Sequence, residues 1–202
     1  DAFFLVGRLG VPIGFTMLAE VGLFAAATLM MGWLGTIPLA AHGVALQLAS
    51  ATFMIHLGLS NAATVRAGNA LGRRDVDHLA RGAKVVTVMS LIVALATIAA
   101  FVIFPKQLIA LFLDPDEPNK AAIMAAGGVL LLMAGVFQLV DASQVMALGL
   151  LRGLRDTKTP MIYAAISYWV VGVPCSYLLG FPMGFGGAGI WGGLAIGLAV
   201  AS

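Results

Sequence analysis

Residues 121–151 read AAIMAAGGVLLLMAGVFQLVDASQVMALGLL, an apolar run whose one ionisable side chain, Asp141, sits well inside it. About 20 predominantly apolar residues are enough for a helix to cross the hydrocarbon core of a bilayer. The stretch therefore reads as a membrane span that carries a carboxylate at depth. An ionised acid at mid-bilayer costs roughly 2.5–3.5 kcal/mol on insertion scales, so such residues are paired, solvated by a cavity or used. A second acid, Glu20, lies in the middle of another apolar run.

The rest of the chain extends the pattern. Of 202 residues, 61% are hydrophobic and 10% charged, with a mean hydropathy of +1.03, more apolar surface than a soluble domain of this size can bury. Six spans are expected, at approximately 9–34, 38–65, 83–104, 121–151, 159–180 and 186–202. The fold class is thus all-α integral membrane, a six-helix bundle over residues 1–202. The second and fourth runs exceed the core thickness and are expected to tilt or protrude. The sixth is short and reads as truncated. Pro38 and Pro160 suit the first turns of spans two and five, whereas Pro12 and Pro174 fall inside spans and favour kinks. The chain opens on Asp1 instead of Met and stops at Ser202 inside an apolar run, so a piece of a longer polypeptide is expected. No cleavable signal pattern precedes the first span.

Charges alternate between the loops. Arg8, then Arg66, Arg73, Arg74, Arg81 and Lys84, then Arg152, Arg155 and Lys158 fall on one side, and only Lys106 and Lys120 on the other. The positive-inside rule makes the first group cytoplasmic, which puts both ends of the segment in the cytoplasm of a multi-pass cell-membrane protein. The acidic run at 114–118 becomes an external turn, read as solvated in preference to a calcium site. Asp75 and Asp77 precede span three, where carboxylates favour a helix amino terminus. The net charge of +2, scattered through loops, excludes nucleic-acid binding as a function class. The single cysteine, Cys175, excludes an internal disulfide and reads as helix packing.

Glu20 is twelve residues from Arg8, and Asp141 is eleven from Arg152. At 1.5 Å per residue both acids lie about 16–18 Å inside the boundary that those arginines mark. Equal depth allows them to face one cavity, and no basic residue inside a span is expected to neutralise them. Helical periodicity adds Gln138 and Gln144 around Asp141, and Thr16 around Glu20. Such oxygen-rich patches suit a hard monovalent cation, or a desolvated carboxyl that carries a proton; the residues leave both open. Trp33 reads as an outer interfacial anchor. Trp169 sits deeper, where it faces a substrate cavity or simply packs. Gln47, His42, His56 and Asn61 in span two read as ordinary helix contacts. Gly189, Gly193 and Gly197 form a small-residue ridge on which another helix could pack closely.

Several motifs carry a family resemblance. Glu20-Val21-Gly22-Leu23-Phe24, Leu39-Ala40-Ala41-His42, Ala62-Ala63-Thr64-Val65-Arg66 with Gly68-Asn69 and Gly72, and Leu151-Arg152-Gly153 with Asp156-Thr157 and Thr159-Pro160 occur in order over nearly the whole chain. Together they resemble the carboxy-terminal half of multidrug and toxic compound extrusion (MATE) transporters of the NorM-like branch. The resemblance implies a two-lobe, twelve-helix antiporter, with this chain as its second lobe and an amino-terminal six-helix lobe as its partner. It further implies that Glu20 and Asp141 match the cation-coupling acids of helices seven and ten. Some relatives carry a tyrosine one turn before the second acid; Phe137 stands here and removes that possible oxygen ligand.

The expected function is secondary active export of amphipathic or cationic organic compounds against inward Na⁺ or H⁺, with a possible Na⁺ at Glu20 and Asp141 and no other cofactor. Two rivals stand beside it. A lipid-linked oligosaccharide flippase of the same superfamily would need cations at mid-depth, and a non-transporting scaffold would assemble through the glycine ridge. An enzyme is not expected. There is no His-Glu-x-x-His or Gly-x-Ser-x-Gly motif, and Gly153-Leu154-Arg155-Asp156 only approaches an intramembrane aspartyl protease motif. Nothing resembles a channel selectivity filter.

Overall fold

The computed structural model describes residues 2–202 and consists of helices joined by short turns. Asp1, on which the expectation of an upstream extension rests, lies outside the described residues. Helix α1 covers Ala2–Leu34, α2 Thr36–Arg73, α3 Val76–Ile103, α4 Pro105–Ala110 and α5 Lys120–Gly153. The next rod, Lys158–Gly180, is composite: α6 (Lys158–Ile166), a π-helical segment (Ser167–Gly172) and α7 (Val173–Gly180). Helix α8, Gly186–Ala201, ends the described chain. Five of these rods are long and apolar enough to cross a membrane, and α8 is a shorter apolar helix of 16 residues.

Local chemistry explains the boundaries. One residue, Gly35, links α1 to α2 at φ 124° and ψ 176°, a conformation open only to glycine, so two long helices reverse direction without a loop. Asp75 caps α3 by accepting from the His78 backbone N–H at 2.8 Å. Pro105 begins α4 in the first turn, where its missing N–H costs nothing. Pro12 lies within α1, which continues through it as α-helix. Pro174 lies two residues beyond the end of the π segment; a wider turn relieves the clash that a proline ring makes with the carbonyl four residues back.

Helices α2 and α5 form the central pair and run side by side in a repeating register. Ser60 Oγ donates to Val145 O at 2.7 Å, and one turn on Thr64 Oγ1 donates to Gly149 O at 2.8 Å. An added Cβ on Gly153 would stand 2.6 Å from the Ala67 Cβ, so the helices touch backbone to backbone at this end. Helix α3 packs along the other side of the pair, and α8 packs on α5.

The glycine ridge of α8 is occupied within the lobe. Gly189 lies on Leu179, Gly193 on Ser176, and Gly197 on Gly172, and all three glycines are buried. The turn at 181–185 folds α8 straight back on α7, so the ridge is not left open for an outside helix. This corrects the surface through which the scaffold reading would assemble.

An aromatic core fills the space between α1, α5 and α8. Phe137 meets Phe24 edge-on at 5.8 Å and Trp191 at 5.5 Å. The fully buried Trp191 indole N–H donates to His42 Nδ1 at 3.2 Å. An indole only donates, so His42 carries its proton on Nε2 and directs it to Thr28 Oγ1, 3.1 Å away. The Thr28 hydroxyl in turn donates to Phe24 O, which joins α2, α1 and α8 in one satisfied chain. In the 114–118 turn, Asp114 and Glu117 accept from the backbone N–H groups of Asp116 and Asn119.

Candidate cation-coupling site

Glu20 projects from α1 and Asp141 from α5, and the two lie within electrostatic reach of one another. Asp141 is 2% exposed and Glu20 half-buried. The helices are locked at this level by close contacts on either side. The Trp169 ring covers Gly22, Leu23 packs on Gly172, and Phe24 meets Phe137. Two residues beyond Glu20, therefore, α1 is clamped against both α5 and the π segment.

Two further polar groups complete the cluster. Tyr168, fully buried in the π segment, lies within electrostatic reach of Glu20, Asp141 and Arg152. Its phenol oxygen accepts from the Gln144 side-chain amide. Arg152, half-buried near the end of α5, is placed so that its charge attracts Glu20. Arg152 lies just beyond the span read from the sequence, and a long arginine stem lets its guanidinium reach back along the helix from that boundary position.

The other residues singled out from the sequence take different places. Thr16 is buried one turn before Glu20, and its hydroxyl donates to Pro12 O at 2.9 Å, leaving oxygen lone pairs free. Phe137 belongs to the aromatic core. Trp169 is 48% exposed, with one ring edge on Gly22. Gln138 does not share a face with Gln144. Its amide nitrogen donates to Ala49 O at 3.1 Å and Thr52 Oγ1 at 2.6 Å on α2, while Gln144 turns to Tyr168. Six residues separate the two glutamines, which at 3.6 per turn places them about 120° apart, one on each side of Asp141. The Gln138 Oε1 atom is buried without a hydrogen-bond partner.

Tyr168 and Arg152 were both open to sequence reasoning. Ten residues from Lys158 put Tyr168 about 15 Å along its span, the depth of the acids, and eleven residues from Asp141 bring Arg152 back to nearly the same helical face. The cluster as a whole gathers two carboxylates, a phenol, an amide and one guanidinium in an otherwise apolar interior. Its oxygen donors suit a hard monovalent cation or a shared proton. Among the described residues, no group of three or more His, Cys, Asp or Glu side chains is gathered as for a transition metal.

Comparison with known proteins gives the family. The chain is 50% identical over its whole length to a protein of Rhizobium meliloti named "Probable multidrug resistance protein NorM", and 49% identical to the protein of that name from Agrobacterium fabrum. It spans 43% of the length of each. Among solved structures, 98% of the chain superposes on a MATE in the bent conformation with a TM-score of 0.86 at 21% identity, covering 42% of that molecule. It also superposes on the outward-facing conformation of a multidrug resistance MATE family transporter with a TM-score of 0.82 at 18% identity, again over 42% of that molecule. The MatE family model matches residues 12–178. With that model covering most of the chain, and with an all-α membrane fold like that of the MATE structures, the chain belongs to the MatE family.

Proposed function

We propose that this chain is the carboxy-terminal lobe of a secondary active antiporter that exports amphipathic or cationic organic compounds in exchange for inward Na⁺ or H⁺. The observation that carries the reading is the approach of Glu20 and Asp141, from two different helices, in one buried cluster with Tyr168. A cation or proton arriving there reduces the negative charge that would attract a cationic solute, and the competition couples the two fluxes. Glu20 and Asp141 are the primary ligands; Tyr168 offers a phenol oxygen where Phe137 offers none. Thr16, one turn before Glu20, is a spare acceptor. A membrane potential of about 100 mV adds roughly 2.3 kcal/mol for each charge that crosses.

The remaining half of the transport path belongs to an amino-terminal six-helix lobe. Helix α2 supports this reading, because Gln47 and Asn61 lie on its exposed face with Gly43, Ala51, Met54 and Gly58 between and beside them. Amides on an exposed face within a span belong in a water-filled cleft or against another protein surface, not in lipid. The basic loops support a topology with both ends of the segment on the cytoplasmic side of the cell membrane. The names of the relatives favour drug export over flipping of a lipid-linked sugar.

The test is drug efflux from proteoliposomes driven by an imposed Na⁺ or pH gradient. Glu20→Gln and Asp141→Asn each lower gradient-driven efflux at least about tenfold, with a measurable residual rate, while the protein stays folded; undiminished efflux in both overturns the reading. The gradient that drives the wild type identifies the ion.

A further inference from the structure

We propose that a basic cleft at the start of α1, whose walls include neither Glu20 nor Asp141, binds the phosphate of an anionic phospholipid headgroup. The open cavity has a volume of about 410 Å³ and is walled by Arg8 and Leu9 of α1 together with Leu154, Arg155, Asp156, Thr157 and Lys158. Three cations thus converge on a space that holds one carboxylate. That carboxylate, Asp156, is already engaged, accepting from the Thr159 backbone N–H at 3.1 Å.

The Gly153 and Asp156-Thr157 part of the motif, which the transport reading leaves unused, builds the cleft. Helix α5 ends in a hydrogen-bonded left-handed turn, with Asp156 N–H donating to Leu151 O at 2.9 Å and Arg155 N–H to Arg152 O at 3.0 Å. The left-handed residue is Arg155, at φ 66°, where glycine is the common choice. Gly153, pressed on Ala67, fixes this turn to α2. Lys158 then opens α6, whose amino-terminal dipole end adds further positive potential.

The surroundings favour a lipid over free phosphate. Inward of Arg8, the exposed residues of α1 at helical spacing are Val11, Phe15 and Leu18; inward of Lys158, those of α6 are Ile162 and Ile166. Both apolar stripes run from the cleft into the hydrocarbon region, where acyl chains attached to a bound headgroup would lie. Free phosphate gains nothing from them. Basic pockets between helices at the cytoplasmic boundary are suited to such headgroups, and this site is independent of Glu20 and Asp141.

The experiment is native mass spectrometry of the purified transporter carrying this lobe, titrated with dioleoyl phosphatidylglycerol, dioleoyl phosphatidylcholine or inorganic phosphate. Phosphatidylglycerol is expected to bind about tenfold more tightly than phosphatidylcholine. Combined Arg8→Gln and Lys158→Gln substitution removes the preference, and Arg8→Lys with Lys158→Arg retains it, with unchanged thermal stability in phosphatidylcholine. Excess inorganic phosphate leaves the bound lipid in place. Equal binding of the two lipids by the wild type, as when an acidic segment of the same polypeptide fills the cleft, overturns the proposal. So does a preference that survives the glutamine substitutions, or displacement of the lipid by inorganic phosphate.

Discussion

The Gln144 side-chain amide donates to the Tyr168 phenol oxygen and so ties α5 to the π segment within a turn of Asp141. The bond occupies an acceptor position of the phenol and leaves its O–H free to point at a carboxylate. Tyr168 is within electrostatic reach of both acids, and its span carries a π segment at this level instead of regular α-helix. A wide turn there changes the direction in which successive side chains point, which is one use that proteins make of π-bulges at functional sites.

Tyr168→Phe removes the hydroxyl and keeps the ring. A hydrogen bond to a charged partner contributes about 1.5–3 kcal/mol, so the concentration of driving cation needed for half-maximal efflux is expected to rise about tenfold or more. The folded yield stays at the wild-type level. Tyr163→Phe, at an exposed position on α6, leaves efflux unchanged and serves as the control. Equal behaviour of the two variants excludes Tyr168 from the site.

Trp191→Phe breaks the link to His42 and leaves a buried ring nitrogen without its donor. Such an orphaned group costs about 1–3 kcal/mol. The thermal midpoint in detergent is expected to fall. Adding His42→Phe to the same chain restores part of the loss, because the orphan is then removed. A double variant less stable than the sum of the two single changes contradicts the network.

Gly193→Ala places a methyl group into the backbone of Ser176, whereas the same change at the adjacent Gly192 meets only flexible side-chain ends, at 3.7 Å from Leu179 and 3.8 Å from Met133. The first variant is expected to lose most of its folded yield, measured by size-exclusion chromatography, and the second to resemble the wild type. Equal yields would mean that α8 does not pack on α7 as described.

Much of the fold was legible because lipid imposes a simple pattern: uninterrupted apolar runs, basic loops on one side, proline at helix starts. The α8 ridge was legible as a packing surface, but its partner was not, since the identity of the facing helix depends on the 181–185 turn and not on the spacing of the glycines. Glu20 and Asp141 stood out because ionisable groups are rare in spans. Tyr168 did not, because a tyrosine in an apolar run resembles any core aromatic, and Trp169 beside it drew the attention. The separation of Gln138 from Gln144 was a matter of angle: each lies within a turn of Asp141, yet they look toward different helices.

The central claim is that Glu20 and Asp141 act as one centre, and a double-substitution cycle on cation-driven efflux tests it most directly. Glu20→Gln, Asp141→Asn and the double variant are compared in the same proteoliposomes at a fixed gradient. One shared centre predicts that the double variant transports no more slowly than the worse single variant, since either change already disables the unit. Two single losses that multiply independently in the double variant would contradict a shared site.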